Sequence, residues 1–104
     1  MILATTNSIP GREVAEVLGL VRGNTVRTRH VGRDVLAWFK HLVGGEVEEY
    51  TKLLAESREQ AIDRMVEEAG ARDADAIIGL RFATSEISAG SAEFLAYGTA
   101  VRLR

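Results

Sequence analysis

Hydrophobic and polar positions follow two different rhythms along this chain, and the switches between them predict its elements. Residues Arg12 to Val21 are rich in valine and leucine. Ala15, Val17, Gly19 and Val21 fall on one face, with Val14, Glu16, Leu18 and Leu20 on the other. Both faces are mostly apolar, which predicts a strand covered on two sides. Ser8-Ile9-Pro10-Gly11 ahead of it reads as a turn, because proline presets its own φ and glycine accepts angles that other residues avoid. Gly23-Asn24 predicts a bend or bulge, after which Thr25 to Arg29 continues extended. From Arg33 the spacing turns helical: Val35, Trp38, Phe39, Leu42 and Val43 recur at intervals of three and four until Gly44-Gly45. A second helix is predicted from Glu46 to Ala69. Its stripe is Val47, Tyr50, Leu54, Ala61, Met65 and Ala69, widened by Leu53, Ile62 and Val66. Glu46, Glu48 and Glu49 oppose the positive end of its dipole, and Gly70 is the predicted stop. At 1.5 Å per residue this helix is roughly 35 Å long, enough to cross a whole sheet.

The last third returns to alternation. In Ala74 to Ile87 the even positions Ala76, Ile78, Leu80 and Phe82 make an apolar face. In Ser91 to Leu103 the odd positions Leu95, Tyr97, Val101 and Leu103 are large, and the even ones, Ala92, Ala96, Gly98 and Ala100, are small. Ser88-Ala89-Gly90 is the hairpin loop between these two strands. The order β-α-α-β-β predicts an α+β fold with helices on one sheet face. No proline-rich or repetitive tract divides the chain, so residues 1–104 are read as a single domain.

Composition narrows the function classes. A net charge of -2 excludes the strongly basic profile of a general nucleic-acid binder. The chain has no cysteine, which removes disulfides, thiolate metal sites and thiol redox chemistry. No apolar run is long enough to span a membrane, and Met1-Ile2-Leu3-Ala4 lacks the pattern of a secretion signal, so a cytoplasmic address is expected.

Few residue constellations carry chemistry. The two histidines, His30 and His41, are eleven residues apart and form no HExxH or paired helical motif. Ser57, Ser85, Ser88 and Ser91 lack a GxSxG setting, and the glycines form no phosphate loop. Glu48-Glu49 and Glu67-Glu68 read as a solvated helix face. No catalytic residue, metal ligand or cofactor is therefore assigned. Charge segregation is the remaining signal. Residues 25–41 hold four basic residues and one acid, whereas residues 46–73 hold nine acids and four basic residues. Arg27, Arg29, His30 and Arg33 crowd the approach to the first helix. Such a cluster serves either as an anion site or as a salt-bridge belt within or between subunits, and the belt is favoured.

Nearly the whole chain, from about Thr5 to Leu103, resembles the YbjQ-like family, a bacterial and archaeal group labelled heavy-metal-binding. The carriers are the run Glu16 to Val26, the run Arg29 to Asp34, and Gly44-Gly45-Glu46 with Tyr50-Thr51. Ala74 to Gly79 with Arg81-Phe82 and Ala96 to Val101 complete them. The resemblance implies a dodecin-like subunit with a mostly antiparallel three-stranded sheet in the order 1-3-2, packed on a long helix. It also implies assembly into a ring of five. It transfers no activity and no metal residue position by position.

The resulting expectation is a non-catalytic, self-assembling ring that binds a small anionic ligand, an ion or a partner, with no nucleic acid and no membrane. The alternative is metal sequestration at inter-subunit sites built from His30, His41 and carboxylates. A third class is a small-substrate enzyme with its site at the subunit boundary. Two strands of about twelve residues, roughly 40 Å each, are too long for a 104-residue monomer to cover. Within the ring, Arg27, Arg29 and Arg33 are expected to face acids of the long helix of a neighbour, with Glu48, Glu49 and Glu56 as candidates.

Overall fold

The computed structural model describes residues 1–28, 47–88 and 91–104. The elements are β1 (Ile2–Leu3), β2 (Val14–Thr28), α1 (Val47–Ala71), β3 (Ala76–Ser88) and β4 (Ser91–Leu103). The helix expected over residues 33–43 and the loop residues 89 and 90 lie outside the described residues.

The fold is α+β. Among the described residues one helix packs on a mixed sheet of four strands in the order β1-β3-β4-β2. β4 pairs antiparallel with both β2 and β3, while β1 runs parallel to β3. The three-stranded sheet implied by the resemblance is thus corrected to four strands. β1 is only two residues long, too short for any periodicity to announce it. Tertiary hydrogen bonds make it a strand: Ile2 N donates to Asp75 O at 3.2 Å and Ala4 N to Ile77 O at 2.9 Å. Gly79 N and Leu80 N return bonds to Thr6 O and Ala4 O.

β2 runs unbroken through Gly23 and Asn24, which pair in register with Ala96 and Leu95. The expected bend there is absent, and the irregularities fall earlier, between Val14 and Glu16 and between Val17 and Gly19. Gly19 takes a φ of +114°, which an L side chain rarely adopts. This bulge changes which residues face the helix. Leu18 and Val21, which strict alternation would place on opposite faces, both pack against the core. Val17 is left 64% exposed and Leu20 57%. β2 is therefore covered on one face only among the described residues, not on two.

A second bulge, between Ile78 and Arg81, resets β3 in the same way, with Gly79 at a φ of +60°. Ile77 and Leu80 both enter the core, and Phe82, expected on that face, is 47% exposed. In β4 the small even positions Ala96, Gly98 and Ala100 are buried.

α1 buries Ser57, Ala61, Met65 and Ala69, one residue per turn along a single stripe. It does not stop at Gly70. Asp73 takes the left-handed conformation, Ala74 N donates to Ala69 O, and Asp73 N donates to Gly70 O. This pair of bonds is a Schellman termination with aspartate in the position usually held by glycine. The core is the junction of α1 with β2 and β4, where Val21, Met65, Ile77 and Ala100 interlock. α1 rests mainly on β2, less on β4 and barely on β3. The molecule is elongated, 55 × 24 × 17 Å, with a radius of gyration of 17.4 Å. A compact chain of this length would have about 13 Å.

Candidate functional site

Arg27 is the one member of the basic cluster within the described residues; Arg29, His30 and Arg33 lie outside them. It stands near the end of β2 on the helix side, in register with Ala92 of β4. Its Nε donates to Ser57 Oγ at 2.9 Å, and its Nη2 donates to Gln60 Oε1 at 3.4 Å. Ser57 is fully buried, and its hydroxyl donates to Leu53 O at 2.9 Å. The serine oxygen thus accepts from an arginine while satisfying a carbonyl one turn back. Arg27 is tied to the long helix of its own chain through neutral groups.

Gln60 escaped the sequence reading, and Ser57 entered it only as a serine without a GxSxG setting, not as a partner of Arg27. Serine and glutamine carry no charge signal, and Ser57 falls in a gap of the apolar stripe between Leu54 and Ala61. The available signal was its helical position, since that gap still points at the sheet.

Beside this network lies a shallow groove of about 530 Å³ lined by Arg27, Lys52, Glu56, Glu59, Gln60 and Asp63. Glu56, an expected arginine partner, shares this groove with Arg27. Glu48 and Glu49 begin the helix, but their side chains lie outside the described residues. Two cations and three carboxylates line the groove, so it suits a polar group carrying both signs or another chain's charged side chains better than a simple anion.

A serine nucleophile needs a neighbouring base; among the described residues the Ser57 hydroxyl meets the Arg27 guanidinium and the Leu53 carbonyl. Among the described residues no three histidine, aspartate or glutamate side chains converge as a metal site. The groove carboxylates also fit a soft, heavy metal poorly. Such ions select thiolate and imidazole, and Arg27 and Lys52 oppose any cation placed between the acids.

Several long-range contacts fix the sheet end that faces away from this groove. Arg72, just past α1, donates through Nη1 to Leu20 O at 3.1 Å and Leu18 O at 3.3 Å, on either side of Gly19. Asp75 Oδ2 accepts from Leu103 N at 2.8 Å. Arg81 Nη1 donates to Thr5 O at 2.7 Å, tying the N-terminal segment to β3.

Comparison with known proteins adds a family. The family model described as "Putative heavy-metal-binding" matches residues 1–104. A UPF0145 protein of Archaeoglobus fulgidus is 58% identical over 104 residues, covering 100% of this chain and 96% of the relative. One from Halorubrum lacusprofundi is 59% identical and covers 100% of both chains. One from Vibrio parahaemolyticus is 55% identical, covering 99% of this chain and 98% of its own. A crystal structure of a protein of unknown function from Pediococcus pentosaceus, assigned to the DUF74 family, shares the fold with a TM-score of 0.65 at 17% identity. That match covers 100% of this chain and 98% of the other.

Proposed function

We propose a self-assembling module as the function of this chain, which belongs over its whole length to the UPF0145 family of YbjQ-like proteins. In this reading it is a cytoplasmic ring, of five copies as the family resemblance implies, that binds a small ligand, an ion or a partner without catalysis.

One observation carries the self-assembly. α1 covers one sheet face only: Val17, Leu20 and Val26 stand half exposed or more on the other face, and Phe82, on the helix side but beyond the reach of α1, is 47% exposed. Patches of this kind on a small chain mark contact surfaces. Light scattering and native mass spectrometry on untagged protein test the reading. A stable multimer with one repeated mass supports it, and a monomer at micromolar concentration overturns it. The same mass spectra report any small molecule carried through purification.

A second reading follows the description of the family model: a heavy-metal-binding protein with sites between subunits. The chain's histidines, His30 and His41, are the imidazoles available for it. Calorimetry with zinc, copper and nickel separates the two. A tight stoichiometric isotherm that disappears in the His30→Ala/His41→Ala double variant favours metal binding. Weak or non-stoichiometric heat favours the module.

A further inference from the structure

We infer that copies of this chain join head to tail by strand addition, the outer edge of β2 in one copy pairing in parallel with the β3 tip of the next. The inference rests on the self-assembling reading and names the surfaces that perform it.

The two edges differ in kind and are both open. β2 ends the sheet, and among the described residues no strand pairs with its outer side. On the opposite edge β1 pairs only with Ala76 and Ile77, and backbone bonds from the N-terminal segment reach no further along β3 than Leu80, with only the Arg81 side chain bonding Thr5 O beyond it. Residues from Arg81 to Ser88 therefore have β4 on one side and no strand on the other among the described residues. Natural sheets protect such edges with proline, charged side chains or bulges. From Leu20 to Thr28, β2 contains no proline and its bulges lie before that stretch; its charged residues there are Arg22 and Arg27, and Arg27 is drawn onto α1 by Ser57 and Gln60.

Direction and level follow from register. β2 and β3 are each antiparallel to β4, so they run the same way. Copies repeated around a ring keep that direction, which makes the junction parallel. Asn24 and Ala83 both pair with Leu95, and Arg27 and Glu86 both pair with Ala92. Each pair therefore stands at one level on opposite edges of the sheet. Joining edge to edge brings Arg27, its Nε and Nη2 held by Ser57 and Gln60, to the level of Glu86 of the next copy, which places opposite charges at one level across the junction. Arg22 and Arg81 share the Tyr97 level, but Arg81 is turned aside onto Thr5 O and Leu80 O.

The off-centre helix supplies the second half of the argument. Phe82 pairs with buried Ala96, which places it on the helix side of the sheet, yet its own helix does not reach far enough to cover it. In a parallel continuation the neighbouring β2 arrives beside β3 carrying its own α1 above it, on the same side. The neighbour's helix then covers Phe82. Each copy has a helix over one edge and a bare apolar residue at the other, and the next copy satisfies both. Two identical edges brought together would leave Phe82 uncovered.

The absence of cysteine makes the test clean. Asn24→Cys is combined with Ala83→Cys or, one repeat along the same face, with Ser85→Cys, and a short cross-linker with two thiol-reactive electrophilic ends is added. Within one chain β4 separates these positions by two strand spacings, roughly 10 Å, so a short link forms between copies. The expected result is a ladder of covalent multimers from at least one double variant and none from any single variant. Phe82→Glu, exposed in the subunit, is expected to shift the assembly to monomer while keeping its helical circular dichroism. A monomeric parent protein overturns the self-assembly reading itself. An assembled parent with no ladder from either double variant overturns only the edge pairing. So does dimer formation by Asn24→Cys alone, or a Phe82→Glu protein that stays assembled.

Discussion

Gly23 of β2 lies against the backbone of Ala61 in α1 so closely that a β-carbon at Gly23 would overlap Ala61 O and Met65 N. Backbone, not a flexible side chain, is what it would strike. The contact sets the depth at which the helix settles on the sheet, and Met65 and Val21 are fully buried around it. Glycine is needed here for space; the strand passes through it without a bend.

Gly23→Ala is therefore expected to destabilise the protein by about 1–3 kcal/mol, because helix and strand must separate to admit one methyl group. A urea unfolding midpoint measures it. An unchanged midpoint would show that the helix is free to rise.

Gly70 behaves in the opposite sense. It lies within α1, is exposed, and has nothing within 4 Å of where a β-carbon would sit. Gly70→Ala is expected to stabilise by about 0.5–1 kcal/mol through reduced unfolded-state entropy and better helix propensity. A rise in thermal midpoint is the readout; a fall would mean that the helix stops at Gly70 after all.

Arg72 clasps the bulge at Gly19 through two carbonyls and forms a 3.3 Å ion pair with Glu68. Because the ion pair is exposed, it contributes little, and the carbonyl bonds carry the effect. Arg72→Ala is expected to cost about 1 kcal/mol in a denaturant titration. Glu68→Ala should cost much less. Equal losses would assign the effect to the ion pair.

Ser57→Ala removes the buried oxygen that accepts from Arg27 Nε. A loss of about 1–2 kcal/mol is expected, since the guanidinium loses a partner in a half-buried place. The Arg27 Nε–H resonance should exchange faster with water at the same time. A stable variant with an unchanged resonance would show that Gln60 alone holds the arginine.

Much of the architecture was legible along the chain because burial imposes a period. The stripe Ala61, Met65, Ala69 marked the helix and its buried face, and the small even positions Ala96, Gly98 and Ala100 marked where β4 lies under it. Arg27 was legible as a candidate through charge alone. Its partners Ser57 and Gln60 were not, because neutral polar side chains look alike whether solvated or buried.

Periodicity by itself marked α1, the three long strands and the apolar face of the helix, since these are local properties of a backbone repeat. The tertiary structure decided the rest. Glycine tolerates positive φ at Gly19 and Gly79, and each bulge there reverses the facing of the strand residues beyond it, which no alternating pattern records. β1 exists only because β3 lies beside it. The off-centre seat of α1 depends on how closely Gly23 lets it approach, a distance that arises only when two segments far apart in the chain meet.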